Sequence, residues 1–179
     1  MNNQKLAKAI FEVSNLKGEF RLRSGQISNE YFDKYLFECQ PAILKSIAEA
    51  MSKMVPSGTD VLAGLEIGGI LDATMISHIT GIPAAFVRKK QKAYGTCKLA
   101  EGENVQNKKI LVIEDVVTSG GQIIESVKQL RNFGAIITTV LCVIDRESGG
   151  KKNLAQNGLN LFPLFSMGEL QAAAANQLL

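Results

Sequence analysis

The sequence predicts an α/β fold in which a mainly parallel β-sheet is covered by helices on both faces. Short, continuously apolar runs recur along the chain, at 61–65, 84–87, 110–113, 136–144 and 159–165. Segments with the apolar spacing of helices separate most of these runs. Strands that are buried on both faces are apolar throughout, and parallel strands need such crossover helices to connect them. In folds of this class, ligands bind beyond the carboxyl ends of the strands.

Several helix boundaries can be predicted from single residues. The helix after the first apolar run is predicted to end near Gly81, and a helix over 122–132 is predicted to stop before Gly134. Pro41 suits the first turn of another helix. Residues 166–169 have the spacing of a capping box that opens a C-terminal helix.

Residues 1–40 are predicted to form a helix followed by a small hood region. Apolar residues recur at helical spacing near the start of the chain: Leu6, Ile10, Val13 and Leu16. Gly18 is the expected end of this helix. Residues 19–39 mix aromatic and polar side chains, which indicates a short, partly β region. Because no linker divides the chain, we expect residues 1–179 to form a single domain.

The composition argues against several classes of protein. The chain has 179 residues and no apolar run long enough to cross a membrane. Its three cysteines, Cys39, Cys97 and Cys142, lie far apart and form no CxxC pair, which argues against a disulfide framework and a zinc site. A reducing, cytoplasmic compartment is expected. With a single histidine, the chain has little material for a histidine base or a histidine-rich metal site.

Residues 114–122 are the most informative segment for function. An apolar run delivers two adjacent carboxylates, Glu114 and Asp115, and residues 118–121 then turn the chain into a helix. Backbone N–H groups and the positive end of the helix dipole converge at such a turn, which suits a phosphate group. The carboxylates suit sugar hydroxyls or a hydrated metal ion, because they would repel a phosphate. A capped strand–helix turn with two solvated charges is the alternative interpretation.

This segment resembles the phosphoribosyl pyrophosphate (PRPP) motif of type I phosphoribosyltransferases. The resemblance implies that fold, and it implies that Glu114 and Asp115 hold the ribose 2- and 3-hydroxyls. The residues implied to wrap the 5-phosphate are Val116, Val117, Thr118, Ser119, Gly120, Gly121 and Gln122. The motif indicates the superfamily and leaves the acceptor base open.

Three other stretches, residues 20–33, 86–96 and 143–147, resemble the orotate branch of this superfamily, and the first and third are implied to contact the base. In residues 20–33, Arg23 would supply a cation over the base, and Tyr31 and Phe32 would supply two aromatic rings. Thr118, in the 114–122 segment, would be a further contact with the base. Arg146 follows a strand and is similar to the arginine that contacts orotate in this branch. A guanidinium group matches a carboxylate in two parallel hydrogen bonds. The alternatives are a hairpin with core aromatics and a surface salt bridge of Arg146.

The basic run that begins at Arg88 resembles the catalytic loop of the family, which reaches into the neighbouring subunit's site. Arg88, Lys89, Lys92 and Tyr94 are thereby implied to bind PRPP, with Lys92 the most important cation at the leaving pyrophosphate. The resemblance therefore implies a homodimer with shared active sites. A nuclear-localisation signal, an RNA-binding patch and a solvated face are alternative interpretations of such a run.

Residues 66–69 are similar to the pyrophosphate loop of the family, with Gly68 among the PRPP contacts. Some members carry lysine in place of Gly68 and histidine in place of Tyr94, so the proton donor to pyrophosphate stays open. The resemblance implies Mg²⁺-dependent transfer of ribose 5-phosphate from PRPP to orotate in pyrimidine biosynthesis. The substrates would hold most of the Mg²⁺ ligands, with water bridging to Asp115, and no nucleic acid or membrane partner is expected. A transferase for another base and a nucleic-acid-binding regulator are the alternatives.

Overall fold

The structure is a computed structural model that describes residues 1–21, 25–90 and 99–175. Its strands are β1 (Asn15–Arg21), β2 (Ile27–Phe32), β3 (Val61–Leu65), β4 (Ala84–Val87), β5 (Ala100–Gly102), β6 (Lys109–Val117), β7 (Ile136–Asp145) and β8 (Asn160–Ser166). Its helices are α1 (Asn3–Ser14), α2 (Tyr35–Glu38), α3 (Pro41–Ser52), α4 (Gly68–Thr80), α5 (Gly121–Asn132), α6 (Gly150–Ala155) and α7 (Met167–Ala175).

The predicted α/β fold with a mainly parallel sheet is confirmed. Six strands pair in the order β5-β4-β3-β6-β7-β8, and β1 and β2 form a separate antiparallel hairpin. Within the large sheet all neighbours are parallel except β5, which runs antiparallel to β4 at the edge. The chain places β4 on one side of β3 and β6 on the other, so the strand order reverses there. Such a reversal opens a crevice at the carboxyl ends of the two central strands.

Each face of the sheet carries its own hydrophobic cluster. On one face, residues of α1, α3, α4 and α7 pack against β3, β6 and β7, with Ile10 and Ile76 fully buried among them. On the other face, α5 and α6 contribute Leu130 and Leu154. Across the described residues, no helix is both long enough and apolar enough to cross a membrane.

Most predicted helix boundaries are confirmed. The helix α4 ends at a left-handed Gly81 with φ of 74°, and α3 begins at Pro41. The capping box of α7 forms in both directions: the Ser166 N–H donates to Glu169 Oε2 at 2.7 Å, and the Glu169 N–H donates to Ser166 Oγ at 3.2 Å. Local signals were sufficient at these positions because the groups that end or begin a helix lie within one turn of it.

Two predicted boundaries are wrong, and strand pairing explains both. The first helix ends at Ser14, so Leu16 and Gly18 lie in β1, where Leu16 pairs with Tyr31 of β2. The hairpin therefore overrides the helical spacing of the sequence. The third apolar run does not end at Ile113, because β6 continues to pair with β7 as far as Val117. Glu114 and Asp115 consequently lie inside a strand.

Two glycines allow the start of α4 to press against the sheet. A Cβ atom on Gly69 would lie 2.3 Å from the carbonyl oxygen of Ile113 in β6. A Cβ atom on Gly64 in β3 would lie 2.5 Å from the carbonyl oxygen of Gly69. Both distances are far below van der Waals contact, and both involve backbone atoms that cannot rotate away. The helix therefore begins directly over the crevice between β3 and β6.

Candidate active site

A cleft of about 370 Å³ opens at the carboxyl ends of β3 and β6, within the usual size range of small-molecule sites. It is lined by Lys34, Tyr35, Glu66, Ile67, Lys89, Glu114 and residues 116–123. The structure thus brings together Lys89, Glu114 and the whole predicted turn from Val116 to Gln122. Their roles in binding remain predictions at this point.

The turn between β6 and α5 is built to receive an anion. Gly120 is the N-cap of α5, with φ of 75° and no side-chain cap, so the amides of the first helical turn are open to a ligand. The turn is held from behind, because Asn153 Nδ2 of α6 donates to the Ser119 carbonyl at 3.0 Å. A phosphate group placed here would meet backbone donors and the positive end of the helix dipole.

The two neighbouring acids, both predicted to hold the sugar hydroxyls, have different positions. The Glu114 side chain lines the cleft, whereas the Asp115 side chain has no exposed surface. Asp115 Oδ2 forms an ion pair with Lys34 Nζ at 2.5 Å. The alternative of two solvated strand-end charges is wrong, because β6 extends past both residues and buries them.

Asp115 belongs to a cluster of carboxyl groups beneath the cleft. Burial, a hydrogen bond with Asp115 and the charge of Asp115 together raise the pKa of Glu38 to about 9. Burial, aided by the charge of Asp115, also holds the pKa of Asp72 well above its usual range. Burial and a hydrogen bond with Asp115 do the same to the pKa of Glu114. Glu38 is therefore protonated at neutral pH, and burial also disfavours the charged forms of Asp72 and Glu114.

Lys34 and Asp115 are the charged pair of this cluster. Burial alone would raise the pKa of Asp115, but hydrogen bonds with Glu114 and Lys34 and the charge of Lys34 lower it. Burial alone would lower the pKa of Lys34, but the hydrogen bond and charge of Asp115 raise it. Each partner thus keeps the other ionised, and together they are neutral.

Gly68 is the first residue of α4 and lies against this cluster. A Cβ atom added to it would lie 1.7 Å from Asp115 Oδ2 and 2.4 Å from Glu38 Oε1. The structure therefore leaves room at residue 68 only for backbone, so any contact of Gly68 with PRPP would use its N–H group. The preceding Glu66–Ile67 peptide bond is cis.

Two of the predicted base contacts, Tyr31 and Phe32, lie on opposite faces of the hairpin. The guanidinium carbon of Arg146 lies 5.9 Å from the centroid of the Phe32 ring, and its backbone N–H donates to the Val117 carbonyl at 2.8 Å. Tyr31 instead packs on Phe20, with ring centroids 5.6 Å apart. Because successive residues of a strand point to opposite faces, the two aromatics do not share one face of the hairpin. The structure brings Phe32, but not Tyr31, to Arg146.

The Arg146 side chain has no carboxylate partner among the described residues, so the predicted alternative of a surface salt bridge is not observed there. Arg88, by contrast, is 3.5 Å from Glu101 Oε1 and is engaged in an ion pair. The Lys89 N–H donates to Glu66 Oε1 at 2.7 Å, which ties the start of the basic run to the 66–69 loop. Arg23, Lys92 and Tyr94 lie outside the described residues.

Sequence reasoning missed Lys34, Glu38 and Asp72. The signal in the sequence was weak: Lys34 and Glu38 are four residues apart, as on one side of a helical turn, and Asp72 is the one acidic residue of its helix. A charged side chain that is partly buried, such as Lys34, needs a partner of opposite charge, but the sequence does not identify Asp115 as that partner.

Residues 37–159 match the family model for the phosphoribosyl transferase domain. The chain is 50% identical over 168 residues to an orotate phosphoribosyltransferase of Nocardioides sp., with 94% of each chain covered. It is 42% identical over 153 residues to that of Methanocella arvoryzae, covering 86% of this chain and 87% of the relative. The structure is similar to Mycobacterium tuberculosis H37Rv orotate phosphoribosyltransferase in complex with 5-phospho-alpha-D-ribosyl 1-diphosphate, with a TM-score of 0.82, 26% identity, and 94% and 98% of the two chains covered. The similarity is therefore not confined to the turn motif.

Proposed function

The chain belongs to the orotate phosphoribosyltransferase family, and we propose that it transfers ribose 5-phosphate from PRPP to N1 of orotate, releasing pyrophosphate. The observation that carries the proposal is the placement of two complementary groups at one edge of the sheet. The anion-binding turn at 118–121 follows β6, and Arg146 follows the neighbouring β7, with its backbone bonded to Val117. A phosphorylated sugar and a carboxylated base can thus be held side by side.

The sugar end of the substrate is assigned to the turn and to Glu114. Backbone amides of residues 118–122 and the α5 dipole would hold the 5-phosphate, with the hydroxyls of Thr118 and Ser119 as further donors. Glu114 lines the cleft, and its carboxyl group can accept hydrogen bonds from the ribose hydroxyls. Asp115 would act one layer below, through Lys34.

The base end is assigned to Arg146 and Phe32. The guanidinium group would bind the orotate carboxylate in two parallel hydrogen bonds, and the Phe32 ring would hold the guanidinium plane in place. Uracil, adenine and hypoxanthine lack this carboxylate, so Arg146 would select orotate over them. Thr118, at the junction of both ends, is a further candidate contact.

Catalysis would consist mainly of positioning and charge stabilisation. As pyrophosphate leaves, the ring carbon of the sugar becomes cationic and negative charge develops on the leaving group. Lys89 lines the cleft, and we assign to it and to Lys92 the role of meeting that negative charge. Mg²⁺ bound with PRPP would neutralise part of the pyrophosphate charge, and most of its ligands would come from the substrate.

A pyrophosphate-release assay with PRPP, Mg²⁺ and a panel of bases tests the proposed function. We expect release with orotate and none above background with uracil, adenine or hypoxanthine. Release with another base alone would assign the chain a different acceptor. Absence of release with every base, together with salt-sensitive binding of RNA or DNA, would favour a regulator on the same fold.

The proposal includes a homodimer with shared sites and a cytoplasmic location. The free thiols of Cys39 and Cys142, in the described part of the chain, suit a reducing compartment. If Lys92 acts across the dimer, mixing Lys92→Ala with Arg146→Ala homodimers should restore activity on subunit exchange. In random pairing, roughly a quarter of all sites would then carry neither defect. Mixed dimers confirmed by mass spectrometry but without regained activity would refute shared sites.

A further inference from the structure

Lys34 places a positive charge in the wall of the cleft, although it lies outside the segments that the sequence predicted to bind PRPP. It precedes α2, just after the hairpin, and its side chain is 32% exposed. Its neighbours in the cleft wall are Tyr35 on the same segment and Glu66 and Ile67 of the loop before α4. Lys34 therefore lines the same cleft as that loop and the turn at 118–121.

The side chain of Lys34 is fixed at this place by Asp115. The ion pair at 2.5 Å anchors one side of the ammonium group to a carboxylate that has no exposed surface. An ammonium group has three N–H donors, and this pair uses one of them. The ammonium group also lies 5.2 Å from the centroid of the Tyr35 ring, and its remaining donors can meet a ligand in the cleft.

The start of α4 has no room for a cationic side chain at residue 68, which is Gly68. Any side chain at residue 68 would collide with Asp115 and Glu38, which occupy the space directly above its Cα atom. The loop before α4 therefore offers backbone amides but no cation at this point. The ammonium group of Lys34 contacts the same Asp115 oxygen that a side chain at residue 68 would meet.

The charge balance of the cluster favours an anion beside Lys34. Burial favours the neutral forms of Glu38 and Asp72, so Asp115 is the anion that opposes Lys34. Two other carboxyl groups line the cleft: Glu114 is buried, and Glu66 Oε1 already accepts from the Lys89 N–H. An incoming polyanion could therefore approach the Lys34 ammonium group.

We propose that Lys34 is a substrate-binding residue whose ammonium group, anchored by Asp115, donates to the pyrophosphate group of PRPP. This inference rests on the proposed function. It adds a pyrophosphate contact that lies outside both the basic run that begins at Arg88 and the turn at 118–121. Asp115 is then a positioning residue, since it holds Lys34 and does not itself reach the cleft.

Titrations with substrate fragments test the assignment. Binding of pyrophosphate and of ribose 5-phosphate, each with Mg²⁺, is measured by calorimetry for the wild type and for Lys34→Met. We expect Lys34→Met to weaken pyrophosphate binding by about tenfold or more, which corresponds to about 1.4 kcal/mol or more, and to leave ribose 5-phosphate binding unchanged. Lys45→Met is the matched control, because Lys45 forms an ion pair with Glu49 on α3, away from the cleft, and should change neither affinity.

A double variant separates substrate contact from simple neutralisation of Asp115. The single variant Lys34→Met leaves Asp115 buried without its ion-pair partner and could fail to fold for that reason. The double variant Lys34→Met/Asp115→Asn removes both charges, so the affinity can then be measured on it. We expect its pyrophosphate affinity to stay as low as that of Lys34→Met. Recovery to the wild-type value would overturn the proposal, as would equal losses for both fragments. Wild-type protein that binds neither fragment would instead overturn the proposed function, and this contact with it.

Discussion

The phosphate end and the base end of the proposed substrate site are built in different ways. The proposed phosphate end comes from one contiguous stretch, residues 114–122, and would bind mainly through backbone amides. The proposed base end combines Phe32 on the hairpin with Arg146 after β7, which are more than a hundred residues apart and would act through their side chains. A site made of backbone amides should tolerate a change of side chain but not of backbone conformation, whereas a site made of side chains should lose affinity when one of them is replaced. Substitutions of Arg146, Gly120 and Phe32 test this contrast, and a substitution of Glu38 tests the carboxyl cluster.

The largest effect is expected at the base end. Arg146→Ala should reduce turnover of orotate by roughly thirtyfold to several thousandfold, because an unpaired carboxylate in the site costs about 2–5 kcal/mol. PRPP affinity should be retained, since the phosphate end is separate. Steady-state kinetics and a PRPP titration measure both quantities. Normal orotate turnover would remove Arg146 from the base site.

At the phosphate end, conformation should matter more than chemistry. Gly120→Ala places a side chain at φ of 75° and 3.1 Å from Leu154 Cγ, so it should lower the free energy of unfolding by about 1–2 kcal/mol and weaken ribose 5-phosphate binding. Gly121→Ala is the matched control, because its nearest neighbour would be Ser119 Oγ at 3.7 Å. Denaturant unfolding compares the two. Equal stability losses would contradict the special role of the Gly120 conformation.

The carboxyl cluster beneath both ends should make stability depend on pH. The folded state keeps a proton on Glu38 up to about pH 9, whereas the unfolded chain releases it near its ordinary pKa of 4.5. The free energy of unfolding should therefore fall as pH rises between these values, by at most about 1.4 kcal/mol per pH unit for this proton. Glu38→Gln should flatten the slope, and Glu12→Gln on the exposed side of α1 should not. Identical slopes in all three proteins would place the titrating group elsewhere.

The smallest effect concerns the aromatic pair of the hairpin. Phe32→Leu should raise the KM for orotate a few fold, because a cation–π contact at a partly exposed site contributes about 0.5–1 kcal/mol. Tyr31→Leu should leave this KM unchanged, since Tyr31 packs on Phe20. If Tyr31→Leu has the larger effect, the base lies on the other face of the hairpin.

The same contrast explains what could be predicted from the sequence. The turn at 114–122 was predictable because strand, acids, glycines and helix follow one another along the chain. Arg146 and Phe32 were predictable as candidates only through the family resemblance, and their contact required the fold. The elements β5 and α6 were not predicted, because such short segments carry too few residues to reveal a pattern.

The different positions of Glu114 and Asp115 could not be predicted, since they depend on how far β6 pairs with β7. The sequence suggested that the strand ended at Ile113, and both acids then seemed equivalent. Their difference arises from Lys34 and Glu38 at the two ends of α2 and from Gly68 at the start of α4, which all lie against Asp115. Burial of this kind is decided by tertiary packing and not by local sequence.

Gly64 and Gly69 have a consequence for mutational scanning of this enzyme. Because each faces a backbone atom at less than 3 Å from where a Cβ would lie, every substitution at these positions forces the helix α4 away from the sheet. We expect a saturation library scored by activity to tolerate only glycine there, as it would at a residue that contacts substrate. Neither glycine lines the cleft. Intolerance at these two sites would therefore reflect the close packing of helix α4 on strands β3 and β6. A map of functional residues drawn from tolerance alone would wrongly count both glycines as substrate-binding residues.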